Sequence, residues 1–380
     1  MVRFLHTADL QLGMTRRYLA AEEQPRFTQA RIEAVRALGR LAAAEGCQFV
    51  VVCGDVFEAN QVDRRVVART LEALADVPVP VFLLPGNHDP LDAGSVFTSP
   101  AFADRRPPNV AVLTEAGPLP VPGVPGVELV AAPWTSKRPL ADLVGQVVAP
   151  LPADGTVRIV VGHGAVDTLS PDRDNPALIA VAPLEAALAA GRVHYVALGD
   201  RHSTTNVGST GRIWYSGAPE ATDFDEVDPG NVLVVEVDDA GRAIVTPHRI
   251  GRWSFVRQAF ALDGAADVDA LAAWLQAVPA KDETIARLDL TGLLTLREHA
   301  RLDQLLAAAA DCFAALDVWD GAGGVVLAPD ADDQSALGLS GFAQHALESL
   351  EAEAVGADPA VAAEAQAALG LLYRLARGAA

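Results

Sequence analysis

Short apolar runs alternate with longer amphipathic stretches over about the first 250 residues. The runs at 2–8, 49–53, 79–84, 110–113, 127–130, 157–161 and 193–198 are too short for helices. Gly, Pro or charged residues bound them, so they predict strands, most of them buried. The stretches at 25–45, 62–75, 140–148 and 183–190 predict helices. In the first of these, Ala30, Val35, Leu38, Leu41 and Ala42 recur at near-helical spacing. Asp63, or alternatively Asn60, is the expected cap of the second. Strand, helix and strand in this order predict βαβ units and an α/β layered fold. The segment 90–108 reads as a loop with a short helical piece, and the Pro- and Gly-rich stretch before 127 as tight turns. Residues 212–216 and 232–237 are strand-like and are expected to close a second sheet.

The pattern changes after Gly251. Strand-like 255–262, helical 267–276, extended 284–290, helical 302–313 and strand-like 324–327 predict a small α+β unit. A polar break at 329–337 precedes two helical segments, 340–353 and 358–377, with Gly356 and Pro359 at their joint. Their apolar faces predict a helical hairpin that either closes the molecule or docks on a partner.

The strand ends carry the chemistry. The first run leads into Asp9, the second into Gly54-Asp55, and the third into Gly86-Asn87-His88-Asp89. The run at 157–161 reaches His163, and the run at 193–198 reaches Asp200 and His202. Open α/β sheets place ligands at the carboxyl ends of their strands. A lone Gly-Asp or a lone His there is usually structural. Five such edges in one chain point instead to a divalent metal site, because carboxylate, amide and imidazole groups are its ligands. Asp55 is the candidate bridge between two cations, which a shared carboxylate holds about 3.5–4 Å apart. One cation would take Asp9, Asp55 and His202, and the other Asp55, Asn87, His163 and Asp200. His88 is the candidate acid for a leaving oxygen, with a structural histidine as the alternative. Trp134 reads first as core packing and second as a base-stacking residue.

Composition narrows the class. Hydrophobic residues make up 51% and charged residues 21% of 380, an ordinary globular balance. No apolar run has the length of a membrane span. The N-terminus enters a strand without the signal-peptide order, and Cys47, Cys53 and Cys312 form no disulfide framework, so a cytoplasmic protein is expected. The formal net charge of −20 opposes tight non-specific binding of nucleic acid by the chain alone. The pairs Arg16-Arg17, Arg64-Arg65 and Arg105-Arg106 read first as solvated surface.

The blocks Asp9-Leu10-Gln11, Gly54-Asp55-Val56-Phe57-Glu58, Gly86-Asn87-His88-Asp89, Gly162-His163 and Gly199-Asp200-Arg201-His202 together resemble the calcineurin-like metallophosphoesterases. With His6-Thr7-Ala8-Asp9-Leu10, Tyr215-Ser216-Gly217-Ala218-Pro219 and the domain order, the resemblance is closest to the Mre11/SbcD group of DNA repair nucleases. It implies an αββα two-sheet sandwich over 1–251, a small α+β capping domain over 252–328, and a C-terminal helical segment over 338–378 that binds a partner. It also implies two divalent metal ions. Manganese is the first choice, and magnesium, zinc and iron are alternatives. The expected activity is exo- or endonucleolytic phosphodiester hydrolysis at DNA ends. A small-molecule or cyclic-nucleotide phosphodiesterase and a weakly catalytic DNA-end-binding subunit are the alternatives. Expected partners are DNA, a Rad50/SbcC-like coiled-coil ATPase and a second copy in a homodimer, with no membrane.

Two positions depart from that family. Gln11 and Asp200 stand where it usually has histidines. Asp200 remains a good ligand for a hard cation, whereas the Gln11 amide is a weaker one, so the first metal site is expected to be loose. Arg201 is a candidate phosphate clamp, or alternatively the ion-pair partner of Asp172 or Asp174. Trp134 and Tyr215 are candidate substrate contacts.

Overall fold

The computed structural model describes residues 1–380 apart from 20–21, 239–240, 320–323, 329–340, 355–360, 362–363, 366–367, 369–371 and 373–380. The chain divides into two compact units, Met1–Trp253 and Ser254–Ala380.

In the first unit the opening elements are β1 (Val2–Thr7), α1 (Glu23–Ala44), β2 (Val50–Cys53), α2 (Arg64–Ala75) and β3 (Val81–Leu84). Asp63 caps α2 by accepting from the Arg65 N–H. Next come α3 (Pro100–Ala103), β4 (Val110–Val112), β5 (Gly117–Pro120), β6 (Val127–Ala131), α4 (Leu143–Val148) and β7 (Val157–His163). The unit finishes with α5 (Val181–Ala189), β8 (Tyr195–Gly199), β9 (Thr205–Val207), β10 (Ile213–Tyr215), β11 (Asn231–Val237) and β12 (Ala243–Arg249). One sheet has the order β12-β11-β1-β2-β3-β4, and the other β5-β6-β7-β8-β10-β9.

Period-two alternation builds the layers. Phe4, Phe49, Val51 and Phe82 on the first sheet face Leu129, Ile159, Val161 and Ala197 on the second. The opposite faces pack on helices: Leu5, Val50 and Val52 meet Val35, Leu38 and Leu71 of α1 and α2. Val160 and Val196 likewise join Val144 of α4 and Leu184 and Leu188 of α5. Four layers result, helix, sheet, sheet and helix, as expected from the resemblance.

One strand lies in the other sheet from the one its sequence position predicts. Residues 232–237 were expected in the second sheet, yet β11 pairs antiparallel with β1 of the first, Val2 opposite Val237. Six of its seven residues are buried, so it needs cover on both faces and a neighbour on both sides. It gains the outer neighbour from β12, which pairs along its whole length and whose exposed pattern suits an edge. β5, β9 and β12 escaped the sequence reading because they are short, half-exposed or interrupted by Pro.

The second unit contains β13 (Ser254–Leu262), α6 (Ala265–Ala277), β14 (Thr284–Thr295), α7 (Leu296–Ala310), β15 (Ala315–Trp319), β16 (Val325–Ala328) and α8 (Phe342–Ala354). Its strands are all parallel, with β14 between β13 and β15 and pairing β16 at its far end. Leu271, Leu275, Leu288, Leu290 and Leu302 form its core. The expected strand at 324–327 is β16, and β15 is an addition to the expected order. Of the expected C-terminal hairpin, α8 is the first helix; the second lies mostly outside the described residues.

Candidate metal centre

Five strands of the first unit deliver the site. β1, β2 and β3 run parallel in one sheet, and β7 and β8 run parallel in the other. Past their carboxyl ends lie Asp9, Asp55, Asn87, His88, Asp200 and His202, with His163 the last residue of β7. Asp9, Asp55 and His163 are buried, and each offers a ligand atom within 4.8 Å of the other two. Of six non-glycine residues with positive φ among the described residues, four are Asp9 (53°), Gln11 (49°), Asp55 (51°) and Asp200 (98°). Left-handed backbone costs roughly 1–3 kcal/mol per residue and persists where the surroundings impose it, which is common at functional sites. Here it is imposed by cross-strand bonds, Asp9 N–H to Gly54 O (3.1 Å) and Gln11 N–H to Asp55 O (3.0 Å).

The contacts form two groups that share Asp55. On one side, His163 Nε2 lies 3.4 Å from Asp55 Oδ1, 2.6 Å from Asn87 Oδ1 and 3.8 Å from Asp200 Oδ1. On the other, His202 Nε2 lies 4.0 Å from Asp9 Oδ1, and Gln11 Nε2 donates to Asp55 Oδ2 at 3.3 Å. The backbone N–H of Asp200 donates to both Asp9 oxygens at 3.1 Å, and that of His88 to Asp55 Oδ1 at 2.9 Å. His163 Nδ1 donates to the Cys53 carbonyl at 2.8 Å, which turns Nε2 inward. Only glycine fits beside these groups at Gly54, Gly86 and Gly199. A Cβ on Gly54 (φ +91°) would lie 2.1 Å from His163 Nδ1, and one on Gly86 2.2 Å from Asp55 Oδ1.

The electrostatics suit a cation. Burial raises the Asp9 pKa to about 7, with His202 and His163 acting against that shift. Burial also pushes Asp55 upward, but the neighbouring His163 and His88 outweigh it and leave the group below its usual range. Burial disfavours a charged His163, yet the Asp55 carboxylate holds its pKa well above the ordinary value. Two buried carboxylates facing imidazole nitrogens and an amide oxygen are a donor set that fits a divalent cation.

Around this centre, His88 Nδ1 donates to Glu58 O at 2.8 Å, and Nε2 stands 3.9 Å from Asp55 Oδ2. The His88 side chain is 39% exposed beside the buried Asp55 carboxylate. Asp89 closes the turn by accepting from Gly86 N–H (2.8 Å) and Phe57 N–H (3.0 Å). Arg201 is exposed, and its Nε donates to Thr205 Oγ1 at 3.0 Å.

The two aromatic candidates are structural props. Tyr215 is 1% exposed and donates its hydroxyl to Gly164 O at 2.7 Å. It therefore buttresses the turn after His163 and lines no path, which corrects the expectation of a substrate contact. Trp134 is 9% exposed, donates Nε1–H to His163 O at 2.8 Å and sets its ring edge-on to the imidazole.

Glu226 and Thr222 join the site without a motif of their own. Glu226 Oε1 lies 3.0 Å from His202 Nδ1, and Thr222 Oγ1 lies 2.6 Å from the same atom. Their only local signal is an acidic stretch, Glu220 to Glu226, after Pro219.

The sequence profile of the calcineurin-like phosphoesterases matches residues 2–235, more than half of the chain and all the strands that carry the centre. The chain belongs to the calcineurin-like phosphoesterase family. Among solved structures, this phosphoesterase is similar to TT1561 of Thermus thermophilus, with a TM-score of 0.40 and 10% identity over 64% of this chain and 98% of that one. It is also similar to a dimetal phosphatase from Danio rerio, with a TM-score of 0.38 and 11% identity over 64% and 98% of the two chains. No curated protein sequence gives a significant match. As a member of its family the phosphoesterase is a metal-dependent hydrolase of phosphoester bonds. A divalent cation bound there supplies Lewis-acid polarisation and a water activated for attack. The chain's own part is to hold Asp9, Asp55 and His163 together in a buried cradle and to leave the His88 side chain part-exposed beside them. Among the described residues, no helix is long and apolar enough to cross a membrane.

Proposed function

We propose that this phosphoesterase hydrolyses phosphodiester bonds at DNA ends. The observation that carries the reading is the pairing of His88 with the shared carboxylate. Its Nδ1 is tied to Glu58 O, so a protonated ring presents Nε2–H beside Asp55, where it donates to a departing sugar oxygen. The two contact groups support two cations. Asp9, Gln11, Asp55 and His202 hold one; Asp55, Asn87, His163 and Asp200 hold the other. Oxygen and imidazole donors suit manganese first, with magnesium, zinc and iron as alternatives. Arg201, exposed between two ligand positions, meets the scissile phosphate.

DNA as the substrate is supported by the motif blocks and by the α+β unit and helical segment that follow the catalytic unit. The net charge of −20 leaves the grip on the DNA backbone to a second protein, a coiled-coil ATPase docked on 338–378. The same charge favours a second reading, hydrolysis of a small or cyclic phosphodiester.

The test is cleavage of linear and closed-circular DNA, beside a chromogenic phosphodiester, with manganese, magnesium, zinc or iron, and with and without the ATPase. Cleavage of linear DNA that rises with the ATPase and is lost on deleting 338–380 is expected. Diester turnover with no DNA cleavage under any of these conditions overturns the DNA reading in favour of the small substrate.

A further inference from the structure

His202 is held from behind. Its Nδ1 faces Glu226 Oε1 at 3.0 Å and Thr222 Oγ1 at 2.6 Å, while Nε2 points toward Asp9. The Glu226 side chain is 7% exposed and is itself oriented: Oε2 accepts the Thr222 N–H at 2.9 Å, and Oε1 accepts the Thr222 hydroxyl. The loop carrying both residues is fastened to the catalytic unit at several points. The fully buried Arg31 donates to Ala221 O (2.9 Å) and to Leu10 O (3.2 Å), between Asp9 and Gln11. Arg16 Nε donates to Thr222 O, the Ser203 hydroxyl accepts the Val227 N–H, and Glu220 accepts the N–H groups of Arg252 and Trp253.

A carboxylate behind an imidazole does two things for a metal ligand. It fixes the proton on the far nitrogen, and it makes the near nitrogen a stronger donor. That support matters most on this side of the cradle. Gln11 offers at most an amide oxygen, a weaker ligand than an imidazole, so His202 is the nitrogen donor on this side.

We propose that Glu226, held by Thr222, is the positioning residue that locks His202 as its Nδ1–H tautomer and sets the affinity of the cation on the Asp9 side. The proposal rests on His202 being a ligand of that cation and is independent of whether the substrate is DNA.

The experiment is calorimetric titration of the full chain with manganese, followed by total metal content. Wild type, Glu226→Gln and Glu226→Ala are compared, with ¹⁵N-histidine NMR of the metal-free proteins. In both variants one class of site is expected to weaken by roughly 10–100-fold, the usual effect of losing such a support, with the other class unchanged. Metal-free wild type is expected to show His202 protonated at Nδ1, and Glu226→Ala a mixture of tautomers. Thr222→Val is expected to weaken the same class by less. Wild-type affinities at both sites in the Glu226 variants overturn the proposal, as does an unchanged His202 tautomer in Glu226→Ala. If the Glu226 variants misfold, equal metal affinities in Thr222→Val and wild type overturn it. A wild type that binds no manganese, zinc or iron overturns the metal-centre reading itself, a different result from unchanged variants.

Discussion

His163, the last residue of β7, donates through Nδ1 to the carbonyl of Cys53, the last residue of β2, across 2.8 Å. This bond joins the two sheets at the metal centre and settles which imidazole nitrogen faces Asp55. The geometry leaves no space for a side chain at Gly54, whose Cβ would overlap His163 Nδ1. Gly54→Ala is therefore expected to displace the imidazole, to cost about 1–3 kcal/mol of stability from overpacking, and to reduce bound metal. Denaturant unfolding with metal analysis on the same samples checks this. Parent stability and full occupancy in the variant would show that the inter-sheet bond does not orient the ligand.

Gln11 is expected to be the weak point of the Asp9 side. Its amide N–H points at Asp55 Oδ2, which turns a donor rather than a lone pair toward the carboxylate. Gln11→His should tighten one phase of a metal titration and leave the other nearly unchanged. Identical phases in the two proteins, with the variant folded, would remove Gln11 from the ligand set.

Asp55 and His88 should fail differently. Asp55→Asn exchanges a shared carboxylate for an amide and is expected to lower metal content and turnover together. His88→Asn should keep its metals and slow cleavage by roughly 10²–10⁴-fold, the range for lost acid–base help. A diester with a very good leaving group should recover part of the His88 loss and little of the Asp55 loss. Single-turnover rates on fast- and slow-leaving substrates decide it. A His88→Asn enzyme at the parent rate on both would leave that side chain without a catalytic role.

His6 should make the fold acid-sensitive. It is fully buried between the sheets, donates from Nε2 to Leu198 O and accepts the Tyr195 hydroxyl at Nδ1, both at 3.1 Å. Burial lowers its pKa to about 3, from 6.5 in the unfolded chain. The unfolded chain thus binds more protons between these values, so stability is full above about 6.5 and is lost as pH falls toward 3. At pH 5 the loss is about 2 kcal/mol relative to neutral pH. His6→Gln should remove that share of the acid dependence, whatever its own stability. Denaturant unfolding of both proteins at about pH 7.5 and about pH 5 gives the difference. An equal pH dependence in the two would exclude His6 as the source.

What the sequence determined by itself was local. A short apolar run that ends, in most cases at Gly, in a carboxylate, amide or imidazole needs no knowledge of distant residues, and these run ends placed Asp9, Asp55, Asn87, His88, His163, Asp200 and His202 at strand ends. Unbroken apolar runs such as 49–53 and 79–84 likewise showed strands with two buried faces, which implies helices outside the sheets. Which sheet receives a strand is not local. β11 has the same composition wherever it lies, and only its fit between β1 and β12 put it in the first sheet. The imidazole orientations were also beyond the sequence, since they rest on partners far along the chain: Cys53 for His163 and Glu226 for His202. Tyr215 was misread for the same reason, because its motif gave its neighbours in sequence while its burial came from the packing around β10. Hydrophobic period and turn chemistry act over a few residues, whereas a ring nitrogen's partner is set by how two twisted sheets meet.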